Sequence, residues 1–202
     1  MDIFEEQNIP MSLSSGRLGY IRFWPKWMPS KEADLLLELA IKQTPWRHDT
    51  INMMGRTIPI PRLQNWFGTP GTSYKYSSIR LDALEFPSWM EQLRRSIEIQ
   101  TKADFNRALV NYYRDGNDSV DWHADDEASL GKEPIIASFS LGVERKFDLR
   151  HNLTGERVSL KLPHGSLLLM GPGLQSLWKH RIPKSRGLQD ARVNFTFRHM
   201  TD

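Results

Sequence analysis

Near the middle of the chain, Asp121-Trp122-His123-Ala124-Asp125-Asp126-Glu127 sets an imidazole and a carboxylate two residues apart. On an extended segment, residues i and i+2 share a face, so His123 and Asp125 can reach toward one metal ion. A third ligand has to come from elsewhere. With no cysteine in the chain, that ligand is drawn from a later histidine, His151, His164, His180 or His199. His180, at the opening of a short strand after Trp178-Lys179, fits best, because in a jelly roll a late strand can lie beside one near the start of the roll. Two histidines and one carboxylate are the facial set that leaves positions open on non-haem Fe(II). His-x-Asp also arises as an acidic loop around a satisfied histidine, so the weight falls on what surrounds it.

Two strand-like segments supply that surrounding. In Arg192-Val193-Asn194-Phe195-Thr196-Phe197-Arg198, the polar side chains alternate with apolar ones and share one face. A half-exposed strand with a wet outer face would read the same way. The alternative is a polar face turned into a barrel, where two fixed guanidinium groups offer bidentate sites to carboxylates. In Leu109-Val110-Asn111-Tyr112-Tyr113, the amide of Asn111 and the phenol of Tyr113 likewise share a face suited to an oxyacid, though strand tyrosines more often pack.

The elements that must position these groups follow from the pattern of the whole chain. Its 202 residues, 39% hydrophobic and 25% charged with a net charge of +3, are globular numbers that point to one domain over 1–202. No apolar run is long enough to span a membrane, and residues 1–6 lack a signal-peptide pattern, so the expected setting is cytoplasmic, or nuclear in a eukaryotic host. A monomer with no membrane partner is expected. The Pro- and Ser-rich first 29 residues read as an irregular arm. Helices are expected over about 30–42 and, from a Ser88-x-x-Glu91 capping box, over about 88–101. Between them, the Gly- and Pro-rich stretch of about 51–80 reads as hairpins and loops. After about residue 106, candidate strands follow at 108–114, 135–141, 146–150, 158–162, 166–170, 180–182 and 192–200, a spacing that suggests a sandwich or jelly roll.

Taken in order, Asn111-Tyr112-Tyr113-Arg114-Asp115-Gly116, Asp118 to Glu127, and Pro134-Ile135-Ile136-Ala137-Ser138-Phe139-Ser140-Leu141-Gly142 strongly resemble AlkB-type dioxygenases. His164-Gly165-Ser166-Leu167-Leu168, Trp178-Lys179-His180-Arg181-Ile182-Pro183 and Arg192 to Arg198 continue the match. It runs from about Pro61 to Met200 and looks closest to the branch that repairs alkylated nucleic acid. The resemblance implies an α+β, mainly β fold. Its core is a double-stranded β-helix (jelly roll) over about 106–200, with N-terminal helices packed on the sheet and a nucleotide-recognition lid over about 51–80. It implies Fe(II) held by His123, Asp125 and His180, and 2-oxoglutarate held by Asn111, Tyr113, Arg192 and Arg198 with Asn194 and Thr196 beside it. By that analogy, Arg192 and Tyr113 take the distal carboxylate, while Arg198 and Asn111 sit near the end that chelates iron. With O2 as the oxidant, the implied activity is oxidative demethylation of bases such as 1-methyladenine and 3-methylcytosine in DNA or RNA, releasing formaldehyde, succinate and CO2.

On the substrate side, the resemblance points to Glu127 approaching the exocyclic amine of a flipped base. Tyr74 and Tyr76 correspond to stacking residues of the lid, and Arg62 to a substrate or phosphate contact. Met53 and Met54, in Asn52-Met53-Met54-Gly55-Arg56, stand where duplex-acting relatives carry an apolar wedge. Lys146, Arg150, Lys179, Arg181, Lys184 and Arg186 are candidate phosphate contacts. The chain departs from the family where Thr69 follows Trp66-Phe67-Gly68 in place of an acid, and where Gln64-Asn65 precedes that Trp. Two other functions remain open on sequence alone. One is the same chemistry on a protein or lipid; the other is a non-catalytic nucleic-acid-binding jelly roll, which would bind without iron or 2-oxoglutarate.

Overall fold

The computed structural model describes residues 5–53, 55–68, 73–76 and 79–201. Strands β1 (Gln7–Ser12) and β2 (Leu18–Trp24) pair as a hairpin before helix α1 (Ser30–Gln43). The hairpin β3 (Thr50–Met53) and β4 (Arg56–Pro59), the strand β5 (Leu63–Gly68), and the hairpin β6 (Ser73–Tyr76) and β7 (Ile79–Asp82) come next. Helix α2 (Ser88–Thr101) leads into β8 (Arg107–Tyr113), β9 (Val120–His123), β10 (Ile136–Gly142) and β11 (Arg145–His151). Then follow β12 (Arg157–Leu162), β13 (Ser166–Met170), the one-turn helix α3 (Leu174–Leu177), β14 (Trp178–Ile182) and β15 (Arg192–Arg198). No helix among the described residues is long and apolar enough to cross a membrane.

A seven-stranded sheet in the order β1-β2-β13-β10-β15-β8-β5 faces a four-stranded sheet in the order β12-β11-β14-β9, all pairings antiparallel. Period-2 alternation decides what each face of the large sheet does. Its outer face sends Val110, Phe139, Val193, Phe195 and Phe197 against Ala33 and Ala40 of α1 and Met90, Leu93 and Ile97 of α2. Between the sheets, Ile21, Phe147, Leu149, Leu162, Leu168 and Trp178 form a second apolar cluster. That leaves the remaining inward positions of β8, β10 and β15 polar apart from Leu109, at the end of the sandwich where β9 and β14 lie. The expected α+β jelly roll with helices on its sheet is what the chain forms.

Three expectations need correction. The irregular arm of residues 1–29 gives way to β1 and β2, which extend the large sheet. Leu18 to Trp24 alternates in burial, and Pro10 is tolerated because β1 is an edge strand with one side unpaired. Nor is 51–80 a single lid: β5 leaves it to join the large sheet beside β8, because Gln64 to Gly68 bury on both faces, and among the described residues the two hairpins stay outside that sheet. The capping box at Ser88 does not form. Ser88 is the first helical residue after Pro87, and Glu91 binds Arg94 and Arg95 of its own helix instead.

Candidate active site

β9 and β14 pair so that His123 and His180 stand directly opposite each other, with ring centroids 4.3 Å apart. Two residues past His123, Asp125 turns in beside them, and the ligand atoms of all three lie within 4.8 Å of one another. His123 Nδ1 lies 2.7 Å from the Asp121 carbonyl. A carbonyl only accepts, so Nδ1 carries the proton and Nε2 keeps its lone pair for a metal. The Asp125 main-chain N–H donates to Gln175 of α3 at 3.0 Å, and its Oδ1 accepts from Arg198 at 2.6 Å. Asp125 Oδ2 is buried without a hydrogen-bond partner.

Burial dominates the electrostatics here. It pushes the His123 imidazole down, and it takes His180 down to about 3, helped by the neighbouring His123. Burial by itself would raise the Asp125 carboxyl, yet the net shift is downward. Of the opposing groups, Arg198 is the one that counts at neutral pH, where both imidazoles are uncharged. Two neutral imidazoles and an ionised carboxylate, with one carboxylate oxygen unspent and no cysteine in the chain, are a donor set that fits Fe(II).

The cavity beside this triad is walled by the inward positions of three neighbouring strands. Register sets Asn111 of β8 opposite Asn194 of β15, which in turn faces Ser140 of β10; Tyr113 faces Arg192 in the next row. Asn194 Nδ2 donates to Ser138 Oγ and to the Phe139 carbonyl, both at 2.9 Å, while Thr196 Oγ1 donates to Asn194 Oδ1 at 3.1 Å. Arg192, 1% exposed, donates to Ser140 Oγ at 2.9 Å. Its Nε and Nη1 are buried with nothing to bind, and burial lowers it to about 10, so it stays charged at neutral pH. A buried cation with two idle donors beside a phenol fits an acid that carries a carboxylate at its far end.

The structure thus brings His123, Asp125, His180, Asn111, Tyr113, Arg192, Asn194, Thr196 and Arg198 around one cavity. Arg62 joins them: instead of standing at the surface, it is buried and donates to Asn111 Oδ1 at 2.8 Å. Glu127 is half-buried and does not line this cavity. Tyr74, Tyr76 and Met53 have their main chain in hairpin strands, but their side chains, and Met54 altogether, lie outside the described residues. The rival third ligands are occupied elsewhere: His151 accepts main-chain N–H groups of its own turn, His164 contacts Asp34 and the Gly142 N–H, and His199 is exposed. The basic residues split. Lys146 and Arg181 both bind Asp148, while Arg150 and Arg181 flank the Trp122 ring at 4.8 and 4.4 Å on the outer side of the small sheet.

Sequence reasoning missed Ser138, Ser140, Gln175 and Trp66. The serines alternate with Phe139 in the same period-2 pattern as β15 and were legible there. Gln175, on a one-turn helix, and Trp66, which lies under the Arg198 guanidinium at 5.7 Å, have no local signal.

Comparison with known proteins agrees with this geometry. A sequence model of the 2OG-Fe(II) oxygenase superfamily matches residues 20–198. The Mus musculus protein named alpha-ketoglutarate-dependent dioxygenase alkB homolog 3 is 40% identical over 200 residues, 93% of this chain and 68% of its own length. Its Homo sapiens counterpart is 39% identical with the same coverage of 93% and 68%. The Mus musculus DNA oxidative demethylase ALKBH2 is 36% identical over 156 residues, 73% of this chain and 65% of its own length. This chain thus spans about two thirds of the length of these relatives. The solved structure of OsALKBH1 superimposes with a TM-score of 0.63 over 89% of this chain and 97% of that one, at 16% identity, a likeness of fold alone.

Proposed function

The chain belongs to the AlkB family of the 2OG-Fe(II) oxygenase superfamily, and from that premise we propose that it removes N-alkyl groups oxidatively from bases of DNA or RNA. As a family member it is an Fe(II)- and 2-oxoglutarate-dependent dioxygenase. The observation that carries the reading is the meeting of the His123–Asp125–His180 cluster with a cavity whose buried Arg192 has donors to spare.

In this reading His123, Asp125 and His180 hold the iron, and Arg192 with Tyr113 holds the distal carboxylate of 2-oxoglutarate. Arg198 and Asn111 lie toward the iron, with Asn194 and Thr196 completing the wall. When bound, iron, 2-oxoglutarate and O2 together supply the oxidation of the alkyl carbon, which leaves as formaldehyde while 2-oxoglutarate leaves as succinate and CO2. The chain's own residues do the rest. The Asp121 carbonyl fixes the His123 tautomer, and Arg198 keeps Asp125 ionised and aimed. The apolar walls, Phe147, Leu162, Met170 and Ile182, limit water around the reacting groups. Glu127, Tyr74, Tyr76, Arg62, Met53 and Met54 serve the substrate in this proposal, with the base drawn out of its stack toward the cavity. The similarity to a relative named as a DNA oxidative demethylase favours a nucleic acid over a protein or lipid. We also take the chain to act as a monomer.

The test is incubation of Fe(II)-loaded protein with 2-oxoglutarate, O2 and oligonucleotides carrying 1-methyladenine or 3-methylcytosine, read by mass. Loss of the methyl mass, stopped by Asp125→Ala, is expected. Succinate without base repair would leave the cofactor assignment standing and overturn the substrate.

A further inference from the structure

Arg145 opens β11, is 1% exposed and does not line the cavity, so neither metal binding nor direct contact with a ligand there accounts for its burial. Its guanidinium donates to three main-chain carbonyls, those of Asp115 at 3.2 Å, Asp118 at 2.8 Å and Pro183 at 2.7 Å. Among the described residues no carboxylate pairs with it. Asp118 is taken up by Arg114 at 2.8 Å, and Asp115 by the Asn117 N–H at 2.7 Å. Arg145 Nε is buried without a partner.

What Arg145 faces is the Tyr113 ring. Its guanidinium carbon lies 5.5 Å from the ring centroid, and that of Arg192 lies 5.1 Å from the same centroid. Two buried guanidinium groups therefore share one phenol, and among the described residues neither forms an ion pair. A buried guanidinium with no carboxylate bonded to it carries a desolvation cost, which falls when an anion arrives. The three carbonyls hold Arg145 between the 115–118 loop and the end of β14, so its contact fixes where the Tyr113 ring stands.

We propose that Arg145 is the positioning residue for the far carboxylate of 2-oxoglutarate. It holds the Tyr113 ring in place and adds to Arg192 a second buried positive charge at that ring, so that a dicarboxylate is chosen over a monocarboxylate 2-oxo acid of the same length. The inference rests on the assignment of Arg192 and Tyr113 to that carboxylate.

The test measures binding, by calorimetry without O2, of 2-oxoglutarate and of 2-oxopentanoate to the Mn(II)-loaded full chain. Wild type is expected to prefer 2-oxoglutarate, and Arg192→Met to lose most of that preference. Arg145→Met is expected to weaken 2-oxoglutarate by about tenfold, the scale on which groups behind a ligand act, and to leave 2-oxopentanoate within about twofold. In a Tyr113→Phe background the loss from Arg145→Met is expected to shrink, because without the hydroxyl a well-placed ring no longer places a hydrogen bond on the carboxylate. Arg145→Lys keeps the charge but cannot bridge three carbonyls, and serves if the methionine variant fails to fold; its loss is expected to be smaller and again confined to the dicarboxylate. Equal weakening of both acids by the Arg145 variants, or no weakening, overturns the inference while the Arg192 assignment stands. An intact preference in Arg192→Met overturns that assignment and the inference with it.

Discussion

The polar residues that wall the cavity sit on β8, β10 and β15, in the middle of a seven-stranded sheet, whereas the hairpins β3–β4 and β6–β7 pair only within themselves, and all of β4 is exposed. The first region is gripped on both sides by ladders and backed by helices. A lone two-stranded hairpin is marginally stable in water, so the second takes its position from how its base is tied. Part of that tie is visible: Gln64 donates to Asp49 at the foot of β3 at 3.1 Å, and the neighbouring Arg62 donates to Asn111 in the cavity. Under the proposed function the difference would separate two jobs. Chemistry that depends on placing three ligands needs a rigid frame, while recognition of varied nucleic acid needs surface that can be altered without disturbing it.

The sharpest break in that comparison is Asp125→Ala, which removes a ligand from the rigid region and leaves Arg198 buried without its carboxylate. We expect turnover to fall by more than about a hundredfold, read as succinate and formaldehyde release, with Mn(II) affinity falling in parallel. Next is Gly142→Ala. Gly142 has φ +88° and pairs with Arg192, and a Cβ there would run into the Ala191 carbonyl. Strain of about 1–3 kcal/mol is expected as a lower melting temperature. Trimming the β3–β4 hairpin to a short turn should do the converse. Demethylation of an oligonucleotide is expected to drop about tenfold, while 2-oxoglutarate affinity stays within about twofold; a matching loss of 2-oxoglutarate affinity would show that the two regions are not separate.

The smallest effect concerns the loop that Arg145 holds. Burial would raise the Asp118 carboxyl, but the Arg114 side chain and main-chain N–H outweigh it and hold it below its ordinary 3.8. A lowered carboxyl stabilises the fold fully above its unfolded value and ceases to do so as pH falls through the folded one. Asp118→Asn is therefore expected to reduce the drop in melting temperature between about pH 5 and about pH 3, at the expense of some stability at neutral pH. An unchanged pH profile would mean that the loop does not depend on this carboxylate.

Much of the rigid region was legible because it obeys period 2. The alternation in Arg192 to Arg198 and in Leu109 to Tyr113 assigned each side chain to a face, and the strands around them fell within a residue or two of their observed ends. The same rule, applied to Ile136 to Leu141, would have found Ser138 and Ser140. The N-terminal strands were obscured by Pro10 and the Ser/Gly cluster, turn-formers by local propensity that an edge strand accommodates. Arg62 was expected to meet substrate or a phosphate, and its burial was not legible because it depends on partners distant in sequence, here Asn111 and Ser119.

What the sequence determined by itself was local: which residues share a strand face, that any metal is held by nitrogen and oxygen, and that His123 and Asp125 point the same way. The sequence already favoured His180 over His151, His164 and His199, but what brings it to His123 is the register between β9 and β14, which only the tertiary structure holds. The tertiary structure likewise turned the polar face of β15 inward, and set Arg145 and Arg192 over one ring. Each of these joins residues far apart in the chain, and alternation along a strand carries no information about which strand lies across from it.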